Sequence, residues 1–462
     1  MSRILWCMPR RAALLVVSSL AFACAPATPA AERPSGGAAA ALEEVRWQDR
    51  SSIYEVFIRD FSPSADLRGL IQGLDRIEAT GANVVWLMPI HPVGEVNRKG
   101  TLGSSYSVRD YRAINPAYGD AEDFRALVDA VHRRGMKLII DWVPNHTAWD
   151  HAWLREHPEW YTRDASGEIT EPLNDDGSST DWTDVADLNY GSPALRRAMI
   201  EAMRYWLEEF DIDGYRVDVA AMVPDDFWRE ALPRLRAAGA ELLLAEAGEA
   251  RMHELGFDLT YGWEGYHTLK EVWRGEQPAS ALIERELSES AAVPDGGRLR
   301  FTTNHDETAW DEPPVVLFGG SAGARAAFTA IALLPGTPLL YNGQEVESPQ
   351  QLGLFERELI DWSRDGGDEA RAYYRRVIEL ARSHPSFIGT GLRALATDAP
   401  DDVIAYRRGN AVVLVNPRTQ SRQFRVTDAR VDGARELLSG RVQQGGTVTL
   451  APHSAIVMEL QP

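Results

Sequence analysis

From Ser52 onward, short β-branched and aromatic runs alternate with amphipathic helical stretches, and that order constrains this chain more than any other feature. The runs fall at 53–58, 83–88, 137–141, 215–219, 242–245, about 257–261, 299–303 and 338–341, with helical patterns such as 67–80, 121–134 and 193–210 between them. Alternation of this kind predicts parallel strands joined by crossover helices. Eight repeats predict an α/β fold, a (β/α)8 TIM barrel over residues 45–387, larger than the usual ~250 residues because of inserted loops. The largest insertion, 147–189, follows the third strand, and its Trp, Asp, Asn and Gly content predicts a loop subdomain at the barrel mouth. After a helix at 370–383 the period changes to short alternating strands with Gly and Asn turns. This predicts a C-terminal antiparallel β-domain over 388–462.

The formal charge of -20 and the lack of any Lys/Arg-rich run exclude nucleic acid as a natural partner and favour a neutral substrate. Residues 1–23 read as an export signal: Arg3, Arg10 and Arg11 precede the apolar run 12–22, which is too short to span a bilayer. Removing those three arginines takes the formal charge from -20 to -23. Cys24 then stands where a lipoprotein signal places its acylated cysteine, so membrane attachment through Cys24 and ordinary secretion both stay open. Residues 24–44 are Ala/Pro/Gly-rich and read as a flexible tether. The only cysteines are Cys7 and Cys24, so the body of the protein holds no disulfide.

In such a barrel the active site lies at the carboxyl ends of the strands. There the sequence places Asp141 and Asn145-His146 after the third strand, Arg216 and Asp218 on the fourth, Glu246 after the fifth, and Asn304-His305-Asp306 after the seventh. Each alone has a structural explanation, a tied strand end or a helix cap. Several at successive strand ends of one barrel point instead to a common cleft. Neighbouring strands are ~4.8 Å apart, so Asp218 and Glu246 can approach to ~5 Å, the separation of retaining glycoside hydrolysis. Arg216, two residues before Asp218 on the same strand face, is expected to hold Asp218 ionised as a nucleophile. Glu246 follows the apolar run 242–245, where desolvation favours a protonated acid. Asp306, His146 and His305 are then left to hydrogen-bond sugar hydroxyls, and Tyr106 to offer an apolar face. Trp142, Trp182 and Trp263 are further stacking candidates near the mouth.

On these segments the sequence resembles family 13 of the glycoside hydrolases, the α-amylase family. The matching stretches are 141–146, 214–218, Glu246 and 304–306, in the family's order, with further likeness at 105–111, 187–189 and 336–341. The resemblance implies cleavage of α-1,4-glucosidic bonds in starch-type glucans or maltooligosaccharides by double displacement. It makes Asp218 the nucleophile, Glu246 the acid/base and Asp306 the transition-state stabiliser, with Tyr106, His146, Arg216 and His305 lining the sugar site. No cofactor is implied for the chemistry; Asn145 and Asp187 match positions that serve a structural calcium ion. Ala221 and Met222 replace a Lys-His pair common in the family, which puts its usual leaving-group contacts in question. Two other readings stand beside the hydrolase: a transglycosylase or isomerase using the same intermediate, and a non-catalytic carbohydrate-binding protein, from which intact carboxylates argue away. Substrate preference, endo or exo action and oligomeric state are not legible in the sequence.

Overall fold

Side chains along each barrel strand alternate between a closed interior and the surrounding helices, and the alternation positions the site. The computed structural model describes residues 47–461 apart from 175, 291, 295, 296 and 390; the export signal, the tether and Cys24 lie outside the described residues. Eight parallel strands close the barrel: β1 (Ile53–Val56), β2 (Val84–Leu87), β3 (Lys137–Trp142), β4 (Gly214–Val217), β5 (Leu242–Ala245), β6 (Leu259–Tyr261), β7 (Arg298–Arg300) and β8 (Thr337–Tyr341). Each pairs with its sequence neighbours, and β1 closes on β8. Ile53, Val84, Ile139, Leu242, Leu259, Leu299 and Leu339 form the dry interior. Their outward neighbours Tyr54, Val85, Leu138, Tyr215, Leu243 and Leu340 join the larger core beneath the helices.

With a period of two, the next inward position on each strand is one layer nearer the mouth. Those positions are Glu55, Trp86, Asp141, Arg216, Leu244 and Tyr261. Along the barrel axis the interior therefore turns from wholly apolar to a layer in which Glu55, Asp141 and Arg216 stand among apolar rings. Register places Glu55 beside Trp86, and Asp141 beside Arg216.

Local signals set the helices. Asp66 caps helix Leu67–Glu78 through the Gly69 N–H, and Asp120 with Asp123 forms a capping box on Ala121–His132. Ser192 caps Pro193–Phe210, with proline at its first position. The insertion after β3 is held by a short antiparallel ladder, His146–Ala148 against Val185–Asp187.

The C-terminal expectation holds. A five-stranded antiparallel sheet contains Ile404–Arg408, Ala411–Asn416 and Ser454–Glu459, and a two-stranded one pairs Arg422–Arg425 with Thr447–Leu450. Both sheets lie in the same compact unit as the barrel. Helix Ser321–Ala332, small-residued and buried from Ala326 to Ala332, lies between barrel and sheet. The Tyr406 hydroxyl donates to Ala330 O at 3.0 Å and the Arg408 guanidinium to Leu333 O at 3.1 Å. Among the described residues, no helix is long and apolar enough to cross a membrane.

Candidate active site

Arg216 is the hub of the mouth. Fully buried on β4, its Nη1 donates to Asp141 Oδ1 at 2.9 Å and to Asp218 Oδ1 at 2.8 Å, and its Nε to the Tyr261 hydroxyl at 3.2 Å. Its Nη2 stands 2.9 Å from Glu246 Oε2, an ion contact rather than an aligned hydrogen bond. Desolvation does raise Glu246, as the apolar run before it leads one to expect; the expectation that Arg216 holds Asp218 ionised is corrected, because the guanidinium is shared with Asp141 and Glu246 and burial outweighs it. Leu242–Ala245 does desolvate the site, but the Glu246 carboxylate faces inward, where the guanidinium reaches it. Burial outweighs the attraction of Arg216 at both acids and raises each pKa to about 7, and the neighbouring charges of Asp141 and Asp218 add to the rise. Asp141, raised to about 6 by the same burial, completes the cluster.

The chain leaves β4 under strain. Val219 has φ 36° and ψ 46°, a left-handed conformation that is costly for a β-branched residue. In return its N–H points at Glu246 and donates to Oε2 at 2.7 Å. The Asp218 N–H is fixed by Trp142 O at 2.8 Å.

A second charged chain closes the opposite wall. His305 faces Glu55 Oε1 through Nδ1 at 2.5 Å; through Nε2 it meets the Tyr106 hydroxyl at 2.7 Å and Asp306 Oδ2 at 3.2 Å. Burial alone would push His305 toward neutrality, but the carboxylates of Asp306 and Glu55 outweigh it and hold the imidazole well above its usual pKa. Burial would raise Asp306, and the adjacent imidazolium overcomes that and keeps it below the usual carboxylate range. The Tyr106 hydroxyl also donates to Asp141 Oδ2 at 3.0 Å, and Trp86 Nε1 donates to the same oxygen at 3.2 Å.

Tyr106, His146, Asp218, Glu246, His305 and Asp306 all line one cavity of about 490 Å³, with Arg216 beneath it. Burial lowers the His146 pKa to about 4, so this ring is neutral and Trp182 packs against it at 5.6 Å. Of the stacking candidates only Trp182 lines the cavity. Trp142 is fully buried, its odd register turning it outward onto Tyr111 and Met199, and Trp263 packs on Tyr261 and Phe301. Lys99 also reaches the cavity wall: its Nζ stands 3.3 Å from Asp184 Oδ1 and donates to Asp181 O at 2.5 Å, joining the β2 loop to the insertion.

Sequence reasoning missed Glu55, Lys99 and Trp310. The signal for Glu55 was present, a lone carboxylate two residues beyond Ile53 in an otherwise apolar strand. Lys99 lies in a loop whose path no periodicity reveals. Trp310 follows Asp306 by one helical turn.

Asn145 and Asp187 do not join the catalytic cavity. With Thr162, Thr170, Glu171 and Met222 they line a separate one of about 210 Å³. Burial raises the Asp187 pKa to about 6. Among the described residues no group of three His, Cys, Asp or Glu could hold a metal ion. The oxygens of Asn145, Asp187 and Glu171 nonetheless fit a hard cation in kind.

Comparison with known proteins places this geometry. The family model for the alpha amylase catalytic domain matches residues 48–241. The crystal structure of an alpha-amylase from Lactobacillus plantarum is 31% identical, with a TM-score of 0.77, over 90% of this chain and 100% of that one. Alpha-amylase MalA of Haloarcula japonica is 28% identical over 399 residues, 80% of this chain but 56% of that protein, so the chain spans little more than half its length. Trehalose synthase/amylase TreS of Mycobacterium tuberculosis is 29% identical over 409 residues, covering 70% of this chain and 66% of that protein. A relative at 31% identity over nine-tenths of the chain, set on the same closed barrel, makes this protein a member of the α-amylase family.

Proposed function

We propose that the protein is a retaining hydrolase of α-1,4-glucosidic bonds in starch-type glucans or maltooligosaccharides. The observation that carries this is the pair of buried acids, Asp218 and Glu246, on one guanidinium at the wall of one cavity. Two carboxylates drawn to one guanidinium are in keeping with the close pair of retaining enzymes, ~5–5.5 Å apart, which leaves no room for a water between nucleophile and acid. Burial raises the pKa of both acids and the charge of Asp218 raises Glu246 further, which favours a proton on Glu246 while Asp218 is ionised.

In the first step the Asp218 carboxylate attacks the anomeric carbon while the C–O bond to the leaving sugar breaks. Glu246 gives its proton to that oxygen. In the second, ionised Glu246 takes a proton from water, whose oxygen attacks the same carbon and releases Asp218. Asp306, kept ionised by His305, accepts hydrogen bonds from the sugar hydroxyls, and Arg216 balances the charge that moves between the two acids. Incubation with maltooligosaccharides and soluble starch, with products resolved by chromatography, tests the assignment. Asp218→Ala and Glu246→Gln are each expected to lower kcat at least ~1,000-fold, and either variant retaining wild-type turnover overturns the assigned role.

Likeness to a protein named trehalose synthase/amylase favours one alternative, transfer of the glucosyl unit to a sugar instead of water. Isomerised or lengthened products at high maltose concentration would show it. The reading also includes a calcium ion at Asn145, Asp187 and Glu171. Calcium is expected to raise Tm and a chelator to lower it, whereas a Tm indifferent to both removes the site.

A further inference from the structure

Trp310 is 69% exposed, the most exposed large apolar side chain among the described residues, yet it lines the cavity that holds Asp218, Glu246 and Asp306. Its place follows from helical geometry. Helix His305–Trp310 begins at Asn304, whose side chain caps the Glu307 N–H. Asp306 and Trp310 are four residues apart, so they share one face and lie one turn, ~5.4 Å, apart. On the proposed function, the carboxylate serves the sugar that reacts. The indole stands one step beyond it.

The turn that carries the ring is held on both sides. Gln351 Nε2 donates to Ala309 O at 3.0 Å and to Asp311 O at 2.8 Å, fixing the backbone on both sides of Trp310. Lys270 Nζ clamps the same turn from below, 2.8 Å from Asp311 Oδ2 and 3.3 Å from Glu307 Oε2. Phe355, from the loop after β8, meets the indole edge at a centroid separation of 6.1 Å and 64° between planes. Leu102 N–H bonds to Phe355 O at 3.0 Å, and Arg59 Nη1 to Leu354 O at 3.1 Å, so the second ring is anchored as well. The indole, set edge-wise against Phe355 and open to water, offers its own flat apolar face at the cavity wall.

We propose that Trp310, backed by Phe355, is the platform of a second sugar subsite, stacking against the C–H face of a glucopyranosyl unit next to the one gripped by Asp306. This rests on the α-glucan reading above and extends it to substrate length. A substrate with a single sugar unit gains nothing from the platform. A chain of glucosyl units gains stacking energy on the β7–β8 side of the cavity.

The test compares kcat/KM for maltopentaose with that for α-glucosyl fluoride, whose lone glucosyl unit and small leaving group occupy only the reacting site. The wild type is measured beside Trp310→Ala and Trp310→Phe, with thermal melts to verify that each variant folds. The ratio of the two kcat/KM values is expected to fall roughly three- to tenfold in Trp310→Ala, the size of one stacking contact, and to be largely kept in Trp310→Phe. An unchanged ratio in Trp310→Ala, with the wild type cleaving both compounds, overturns the platform alone. A wild type that cleaves the fluoride but leaves maltopentaose intact, or cleaves neither, overturns the α-glucan reading and the platform with it.

Discussion

Glu55 shows how much of the site's chemistry depends on a side chain that never reaches the cavity. It is fully buried at the mouth end of β1, with one oxygen on His305 Nδ1 and the other unpartnered. Burial raises its pKa, and the adjacent imidazolium draws it back down. The three groups support one another: Asp306 and Glu55 keep His305 charged, and charged His305 keeps Asp306 ionised at the cavity wall. Glu55 is thus a positioning residue, acting through His305. Glu55→Gln preserves a hydrogen-bonding partner of the same shape and removes only the charge. The His305 pKa, now raised above its ordinary value, is expected to fall in the variant, so the active imidazolium is lost at lower pH. That fall is to be read by NMR titration of the His305 ring, with kcat down roughly tenfold at pH 7. A ring pKa that stays in place while activity falls would reduce Glu55 to a packing role.

Among the elements, β4 carries the tightest constraint, and it begins at Gly214. This residue has φ +149°, and a Cβ there would lie 1.8 Å from the Leu242 carbonyl oxygen on β5. Only glycine lets the two strands pair closely enough for the Arg216 fork to reach both Asp218 and Glu246. Gly214→Ala is expected to cost at least ~3 kcal/mol, measured as a loss of denaturant midpoint, with activity falling in the fraction that folds. A variant with wild-type stability would mean that the strands can separate without harm. All eight strands were legible because most runs are apolar and flanked by turn residues; the faintest was Arg298–Arg300, with one leucine between two arginines. Strand ends were less so. The run 53–58 ends as a strand at Val56 because Phe57 begins a helical turn, and the run 215–219 ends at Val217 because Asp218 and Val219 leave the ladder to serve the site. The acids themselves could be found by their place at strand ends, but not their charge sharing. One guanidinium dividing itself among Asp141, Asp218 and Glu246 is a property of the closed barrel, invisible to a reading of one strand at a time.

Across the whole molecule, buried titratable groups pull stability in opposite directions with pH. His91 and His151 are buried and neutral, their pKa values lowered to about 4 by desolvation, with Asp110 only partly offsetting it. Their unfolded value is ~6.5, so their stabilising contribution is complete above that pH and is lost as pH falls through 6.5 toward 4. Buried carboxyls behave in the reverse sense. Asp60, raised to about 7 by burial with Glu358 adding to the rise, and the Asp218–Glu246 pair bind protons more tightly folded than unfolded. Their contribution is complete below ~4 and is lost as pH rises through 7. Folding stability is therefore expected to peak on the acid side of neutrality and to decline toward pH 8. Asp60 isolates the second limb, because its Oδ1 accepts the Glu358 N–H at 2.8 Å, a role asparagine can keep, while Oδ2 has no partner. Relative to wild type, Asp60→Asn should gain about 2 kcal/mol between pH 5 and pH 8, read from urea midpoints at each pH, since the ionised carboxylate it lacks is the one the fold disfavours. The other titrating groups are common to both proteins and cancel in the difference. A gap between variant and wild type that stays constant across that range would show Asp60 to be ionised throughout, and the decline would then have to come from the other buried carboxyls, the catalytic pair among them.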